Sequence, residues 1–169
     1  MKDSKQSNSP LYQIVFGAAI AGIYIVLTML FLPISFGPVQ FRISEALCVL
    51  PFFTPAAVPG LFIGCLLSNF LGGAAMLDVI FGSLATLIGA VGSWMLRRNR
   101  FMVSLPPILS NTMIIPWVLR YAYGSEDMIW FAMITVGIGE ILAIGILGQL
   151  LLSALSRYRT IIFGRRAEA

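Results

Sequence analysis

The sequence predicts an all-α integral membrane protein: a six-transmembrane-helix bundle with both termini cytoplasmic. Three observations carry that expectation. Hydrophobic residues are 59% of the 169 and charged residues 11%, with a mean hydropathy of +0.93, a composition suited to lipid as the solvent. The apolar residues fall in long runs separated by Pro, Gly and Arg clusters, and the chain has room for about six helices of ~20 residues. The third observation is charge placement. With six helices, Lys2, Lys5, Arg97, Arg98, Arg100, Arg157, Arg159, Arg165 and Arg166 share one side, and only Arg42 and Arg120 lie on the other. Nine against two is the positive-inside bias expected of cytoplasmic loops. With five helices the Arg97–Arg100 cluster would fall opposite the N-terminal lysines, so six is preferred.

The elements follow in order. Residues 1–10 are polar and form a short cytoplasmic tail; the apolar run behind them is too long for a signal peptide, so none is expected. Residues 11–156 form the membrane domain, and residues 157–169 a basic cytoplasmic tail. The first helix, residues 11–31, is stopped by Pro33 and carries Gly17, Ala18, Ala21 and Gly22, two small-xxx-small pairs that let another helix approach closely. Residues 33–43 form a loop. The apolar stretch 46–71 is punctuated by Pro51, Pro55 and Pro59 and reads as two short helices, about 44–53 and 57–71. At 1.5 Å per residue these reach only ~15 to 22 Å, too short for a ~30 Å core, so their ends need protein around them. Helices over 76–96, 101–123 and 128–155 complete the set. The stripe Gly82, Ala85, Gly89, Ser93 predicts close helix packing.

Glu140 is a lone carboxylate within the last apolar run. Such residues are costly, usually face a protein interior, and mark substrate or ion paths; the blander reading is a structural acid bonded to a neighbouring helix. Asn111 lies about 12 residues from the outer end of its helix and Glu140 about 13 from the outer end of its own. Both therefore sit ~18 to 20 Å deep, where they could face one cavity open to the outside. Gly137, Ala143 and Ile144, at i−3, i+3 and i+4, leave space beside the carboxylate. Arg42 and Glu45, three apart at a helix start, are candidate functional charges or a surface pair worth little. Asp78 is a candidate acid or a charge stabilising the first turn of its helix. Asn69 is a candidate polar contact or a helix cap. Tyr121 and Trp130, with Trp117 and Tyr123, are ring-stacking candidates or an aromatic belt at the outer interface.

Several function classes are excluded. The chain has no histidine, no cysteine pair at metal spacing, no phosphate loop before a lysine, and no Ser or Cys beside a plausible base. No enzyme, cofactor or metal site is expected. The net charge of +4 reflects membrane orientation rather than a nucleic-acid partner. Cys48 and Cys65 read as packing residues, with a disulfide the lesser alternative.

Four motifs carry a family resemblance: Gln40-Phe-Arg-Ile-Ser-Glu-Ala-Leu-Cys-Val-Leu-Pro-Phe-Phe53, Gly60-Leu-Phe-Ile-Gly64, Ser68-Asn-Phe-Leu-Gly-Gly73 and Asp78-Val-Ile-Phe-Gly-Ser-Leu-Ala-Thr-Leu87. With them the chain resembles the queuosine-precursor transporter (QueT) family, substrate-binding S-components of energy-coupling factor (ECF) transporters, over residues 11–155. The resemblance implies an S-component-like six-helix bundle in the plasma membrane of a prokaryote. Its implied partners are an ECF coupling transmembrane subunit and two ATP-binding cassette ATPases. Docking is implied through an alanine-rich AxxxA motif on the first helix, from which this chain departs with Gly17/Ala21 and Ala18/Gly22. The loop at 33–43 is implied to close over the substrate. That substrate is implied to be a 7-deazaguanine such as prequeuosine-1 or queuine. Its adjacent N–H and NH₂ suit a carboxylate, assigned to Glu140; its cationic amine suits Asp78 or Glu45; its carbonyl suits Asn111 or Asn69. The alternatives are an S-component for another vitamin or purine-like micronutrient, a free-standing proton-coupled carrier, and an assembly protein without a ligand.

Overall fold

The computed structural model describes residues 9–35, 41–126 and 128–163. The tail residues 1–8 and 164–169, the core of the expected lid at 36–40, and Asp127 lie outside the described residues.

Among the described residues the secondary structure is helical throughout. Helix α1 is Pro10–Leu30; Ser9 caps it, its Oγ accepting from the Tyr12 amide at 3.2 Å, with Pro10 in the first turn where no N–H is needed. The helix stops at Phe31, and Pro33 lies in a further helical turn, Leu32–Ser35, rather than in a loop. α2 is a 3₁₀ helix, Ile43–Phe52, and α3 is Ala57–Leu71. α4 is Met76–Met95 and α5 is Leu105–Tyr123, preceded by the turn Met102–Ser104. α6 runs Ile129–Arg157, and a last turn, Arg159–Ile162, follows it. Gly73 (φ 73°) turns α3 into α4, and Gly124 (φ 64°) ends α5 in the left-handed conformation open to glycine.

Among the described residues four helices are long and apolar enough to cross a membrane: Pro10–Leu30, Met76–Met95, Met102–Tyr123 and Ile129–Arg157. The stretch 46–71 is divided as its prolines predict. At ~2.0 Å per residue for a 3₁₀ helix and ~1.5 Å for an α-helix, α2 and α3 each reach only about 20 to 22 Å. Neither stands alone. Every residue of α2 from Ser44 to Pro51 is buried, wedged among α1, α4 and α6.

The helices alternate in direction. Tyr12, in the first turn of α1, donates to the Ile162 carbonyl at 3.2 Å, so the two ends of the described chain meet. Phe53, at the foot of α2, stacks on Phe163 with ring centres 4.6 Å apart. At the opposite end Arg42, Asp78 and Tyr123 come together. Close crossings depend on small residues: a Cβ on Gly60 would lie 2.6 Å from the Gly17 carbonyl oxygen, and one on Gly89 2.5 Å from Pro107 Cα. This splits the predicted small-residue face of α1. Gly17 and Ala21 are buried against Gly60 and Gly64 of α3, whereas Ala18 and Gly22 stay exposed. The exposed surface carries large apolar side chains from every long helix, among them Leu11, Ile80, Met113 and Ile134. In water that would be a large aggregation-prone patch; in a bilayer it is the lipid-facing surface.

Candidate functional site

The polar side chains of these apolar helices are gathered inside. Tyr24 and Thr28 from α1, Arg42, then Ser44, Glu45 and Cys48 from α2, Cys65 and Asn69 from α3, Asp78 and Thr86 from α4, Asn111 from α5 and Glu140 from α6 are all at most 5% exposed. Buried polar groups are ordinarily hydrogen-bonded and buried charges paired. The pairing here is uneven, and that unevenness defines the site.

Three of the carboxylates differ in how they are satisfied. Glu45 is engaged at both oxygens: the Tyr24 hydroxyl donates to Oε1, and the Cys48 thiol donates to Oε2 at 3.0 Å. Asp78 is engaged at one: Arg42 Nη2 approaches Oδ2 at 3.4 Å and the Tyr123 hydroxyl donates to the same oxygen at 2.9 Å, while Oδ1 has no partner. Glu140 is also engaged at one: Asn111 Nδ2 donates to Oε1 at 3.0 Å, leaving Oε2 and Asn111 Oδ1 without partners. Asn69 completes the set. Its amide donates to the Asp78 carbonyl at 3.3 Å and toward Cys65 Sγ at 3.7 Å, and its Oδ1 is unsatisfied.

The structure therefore brings Asn111 and Glu140 together. A helix gains a fixed 1.5 Å per residue, so equal distances from the outer turn put the two at one depth on antiparallel neighbours. Gly137 faces Thr112 on the same side, where a Cβ would meet Thr112 Cγ2 at 3.4 Å, an ordinary contact. Beyond Glu140 the expected spacing fails. Residues Ile141–Gly148 form a π-helix, so Ala143 and Ile144 do not continue the α-helical face of Glu140, although both are buried. π segments are rare and frequent at functional sites; this one seats Gly148 against Ala46 and Val49 of α2.

The blander reading of Arg42 and Glu45, a surface pair, does not hold. Both side chains are buried, and Arg42 reaches Asp78, 36 residues away, instead. Asn69 does not cap α3 through its side chain but ties the end of α3 to the start of α4. Tyr121 and Trp130 are not brought to the cluster: they are 71% and 59% exposed, Tyr121 lies against Trp117, and Trp130 donates to Met128 Sδ. That is where an interfacial belt puts its rings. Cys48 and Cys65 are free, buried thiols.

Tyr24, Thr28 and Thr86 are polar members of the cluster with no counterpart among the candidates read from the sequence, and Cys48 and Cys65, read there as packing residues, and the hydroxyl of Tyr123, read as a belt or stacking ring, hydrogen-bond within it. One signal was available: Tyr24 and Thr28 stand four apart on the otherwise apolar α1, and an i, i+4 polar pair marks one face. Thr28 donates to Ser44 Oγ at 2.7 Å across the α1–α2 contact.

Comparison with known proteins decides the family. The model of the QueT transporter family matches residues 14–157, nearly the whole membrane domain. The chain belongs to the QueT transporter family. A curated relative, the queuosine precursor transporter QueT of Lactococcus lactis subsp. cremoris (strain MG1363), is 44% identical over 82 residues. The match spans 47% of this chain and 48% of that relative, about half of each. No solved structure matches the chain. Membership in a transporter family agrees with a lipid-facing apolar surface enclosing a polar interior. Among the described residues no group of His, Cys, Asp and Glu has the arrangement of a metal site.

Proposed function

We propose that this QueT-family protein is the substrate-binding S-component of an ECF importer, capturing a 7-deazaguanine queuosine precursor within the buried cluster. One observation carries the reading. The unsatisfied buried atoms of the cluster include four acceptors: Asn69 Oδ1, Asp78 Oδ1, Asn111 Oδ1 and Glu140 Oε2. Each orphan of this kind costs ~1–3 kcal/mol, so the site is built for a ligand that brings hydrogen-bond donors. A 7-deazaguanine bearing an amine has them: a ring N–H and exocyclic NH₂ for the Glu140 carboxylate and Asn111, and an ammonium. Charge agrees. Glu45, Asp78 and Glu140 against Arg42 leave the buried set, fully ionised, at −2 (three acids, one base), which a cation offsets.

The partner assignment rests on the family and on one surface. A groove of about 720 Å³ runs along α1 and α3, lined by Gln13, Ala18, Gly22, Ile25, Ile63 and Leu67 among others. Ala18 and Gly22 are the exposed half of the small-residue pattern, and this groove is the proposed seat of the coupling subunit, with two ATPases beyond it supplying the energy. Six helices crossing the plasma membrane, the two short ones enclosed by the rest, and both termini in the cytoplasm complete the reading; the contact of Tyr12 with the Ile162 carbonyl supports an even number of crossings.

The test is native mass spectrometry and calorimetry on the purified chain, followed by pull-down with the coupling subunit. Retention or tight binding of a 7-deazaguanine is expected, with guanine weaker. Failure to bind any 7-deazaguanine, while another micronutrient binds, overturns the substrate. Uptake driven by protons without ATPases overturns the S-component role.

A further inference from the structure

Resting on that reading, we propose that Asp78 and Asn69, facing Gly82 of α4, form a cation subsite that makes the protein select the amine-bearing 7-deazaguanine over neutral forms of the same ring. Three acids are available to an ammonium, and hydrogen bonding separates them. Glu45 has no oxygen without a partner, since Tyr24 and Cys48 each hold one, and we read it as a strut joining α1 to α2. Glu140 shares its site with Asn111, a carboxylate and an amide side by side, the pattern that a planar edge with neighbouring donors requires. Asp78 remains.

The geometry around it is that of a small receptor. Asp78 and Asn69 are fully buried, and each keeps an unpartnered oxygen. A Cβ built on Gly82 would lie 2.7 Å from Asp78 Oδ1 and 3.1 Å from Asn69 Nδ2, so Gly82 is what lets the Asp78 carboxylate and the Asn69 amide lie side by side here. Asn69 is itself held by its bond to the Asp78 carbonyl at 3.3 Å, which fixes where its Oδ1 lies. Arg42 does not saturate Asp78. It makes one 3.4 Å contact, on Oδ2, rather than the two-pronged pairing that arginine and a carboxylate adopt when nothing else is needed, and Tyr123 holds that same oxygen. The free Oδ1 of Asp78 offers an ammonium a charged acceptor, and the Asn69 side chain beside it carries a second unpartnered acceptor. A nitrile or methyl group at the same ring position has no donor, and would leave both oxygens buried and unpaired.

The experiment compares two ligands, 7-aminomethyl-7-deazaguanine and 7-cyano-7-deazaguanine, by calorimetry on the full chain in nanodiscs. The wild type is expected to bind the amine at least about tenfold more tightly than the nitrile, the scale of a charge-assisted hydrogen bond. Asp78→Asn should bring that ratio to within about threefold of unity. Gly82→Ala, whose Cβ would push the Asp78 carboxylate aside without removing its charge, should lower it as well, and decides the matter if Asp78→Asn does not fold. Equal affinity of the wild type for both ligands, or a ratio that survives both substitutions, overturns the subsite while leaving the transporter assignment standing. Binding of neither ligand to the wild type is a different result: it overturns the substrate and the subsite together.

Discussion

Glu140→Gln isolates the charge of the residue on which recognition is proposed to turn. Glutamine keeps the length of the side chain, and its Oε1 can accept the same 3.0 Å bond from Asn111 Nδ2. What changes is Oε2, now an unpartnered acceptor, which becomes an NH₂ donor facing the donors of the ligand. A hydrogen bond to a charged group contributes ~1.5–3 kcal/mol, and each 1.4 kcal/mol is about tenfold in affinity. The variant should therefore bind the 7-deazaguanine about ten- to a hundredfold more weakly, measured by calorimetry on purified protein. Stability should move the other way. Glu140 is only 4% exposed, so removing its charge relieves desolvation, and the thermal midpoint of the unliganded protein should be unchanged or higher. Affinity within twofold of wild type would refute the recognition role. A collapsed midpoint together with lost binding would make Glu140 a structural acid.

Three further substitutions probe the scaffold. Tyr24→Phe removes the donor to Glu45 Oε1 and leaves a fully buried carboxylate oxygen unpaired; a loss of ~1–3 kcal/mol should lower the thermal midpoint by several degrees, and an unchanged midpoint would show that Glu45 is held by other means. Gly60→Leu drives a side chain into the Gly17 carbonyl, 2.6 Å from its Cβ position; α1 and α3 must separate, and size-exclusion chromatography should show loss of the folded monomer. At exposed Gly22 an added Cβ meets nothing within 4 Å, so for Gly22→Leu folding and ligand affinity should match wild type while co-purification with the coupling subunit falls at least about tenfold, since a small-residue contact admits no bulky side chain. Retained co-purification would move the docking face elsewhere.

Much of the architecture was legible because helix length and charge placement are one-dimensional properties. The breaks at Pro55 and Gly72-Gly73 follow from the residues that end helices, and the shortness of α2 and α3 and the common depth of Asn111 and Glu140 follow from counting residues along a helix. The Asn111–Glu140 contact was foreseeable for that reason alone. The π segment after Glu140 was not: nothing in Ile141–Gly148 (ILAIGILG) distinguishes it from an α-helical run, and packing of Gly148 on α2 accompanies it.

By itself, then, the sequence determined that this is an apolar helical protein of the QueT type with a handful of polar residues it must hide. Tertiary structure decided how they are hidden. It paired Arg42 with Asp78 rather than Glu45, gave Tyr24 and Cys48 to Glu45, turned Gly17 and Ala21 inward and Ala18 and Gly22 outward, and left Tyr121 and Trp130 on the outside. The physical reason is common to all of these. In a soluble helix the polar face points to water and the apolar face to the core, so rotation about the axis can be read from the pattern. Here lipid and core are both apolar, so an Ile or Leu is acceptable on every side, and which side faces inward is settled only when six helices pack together.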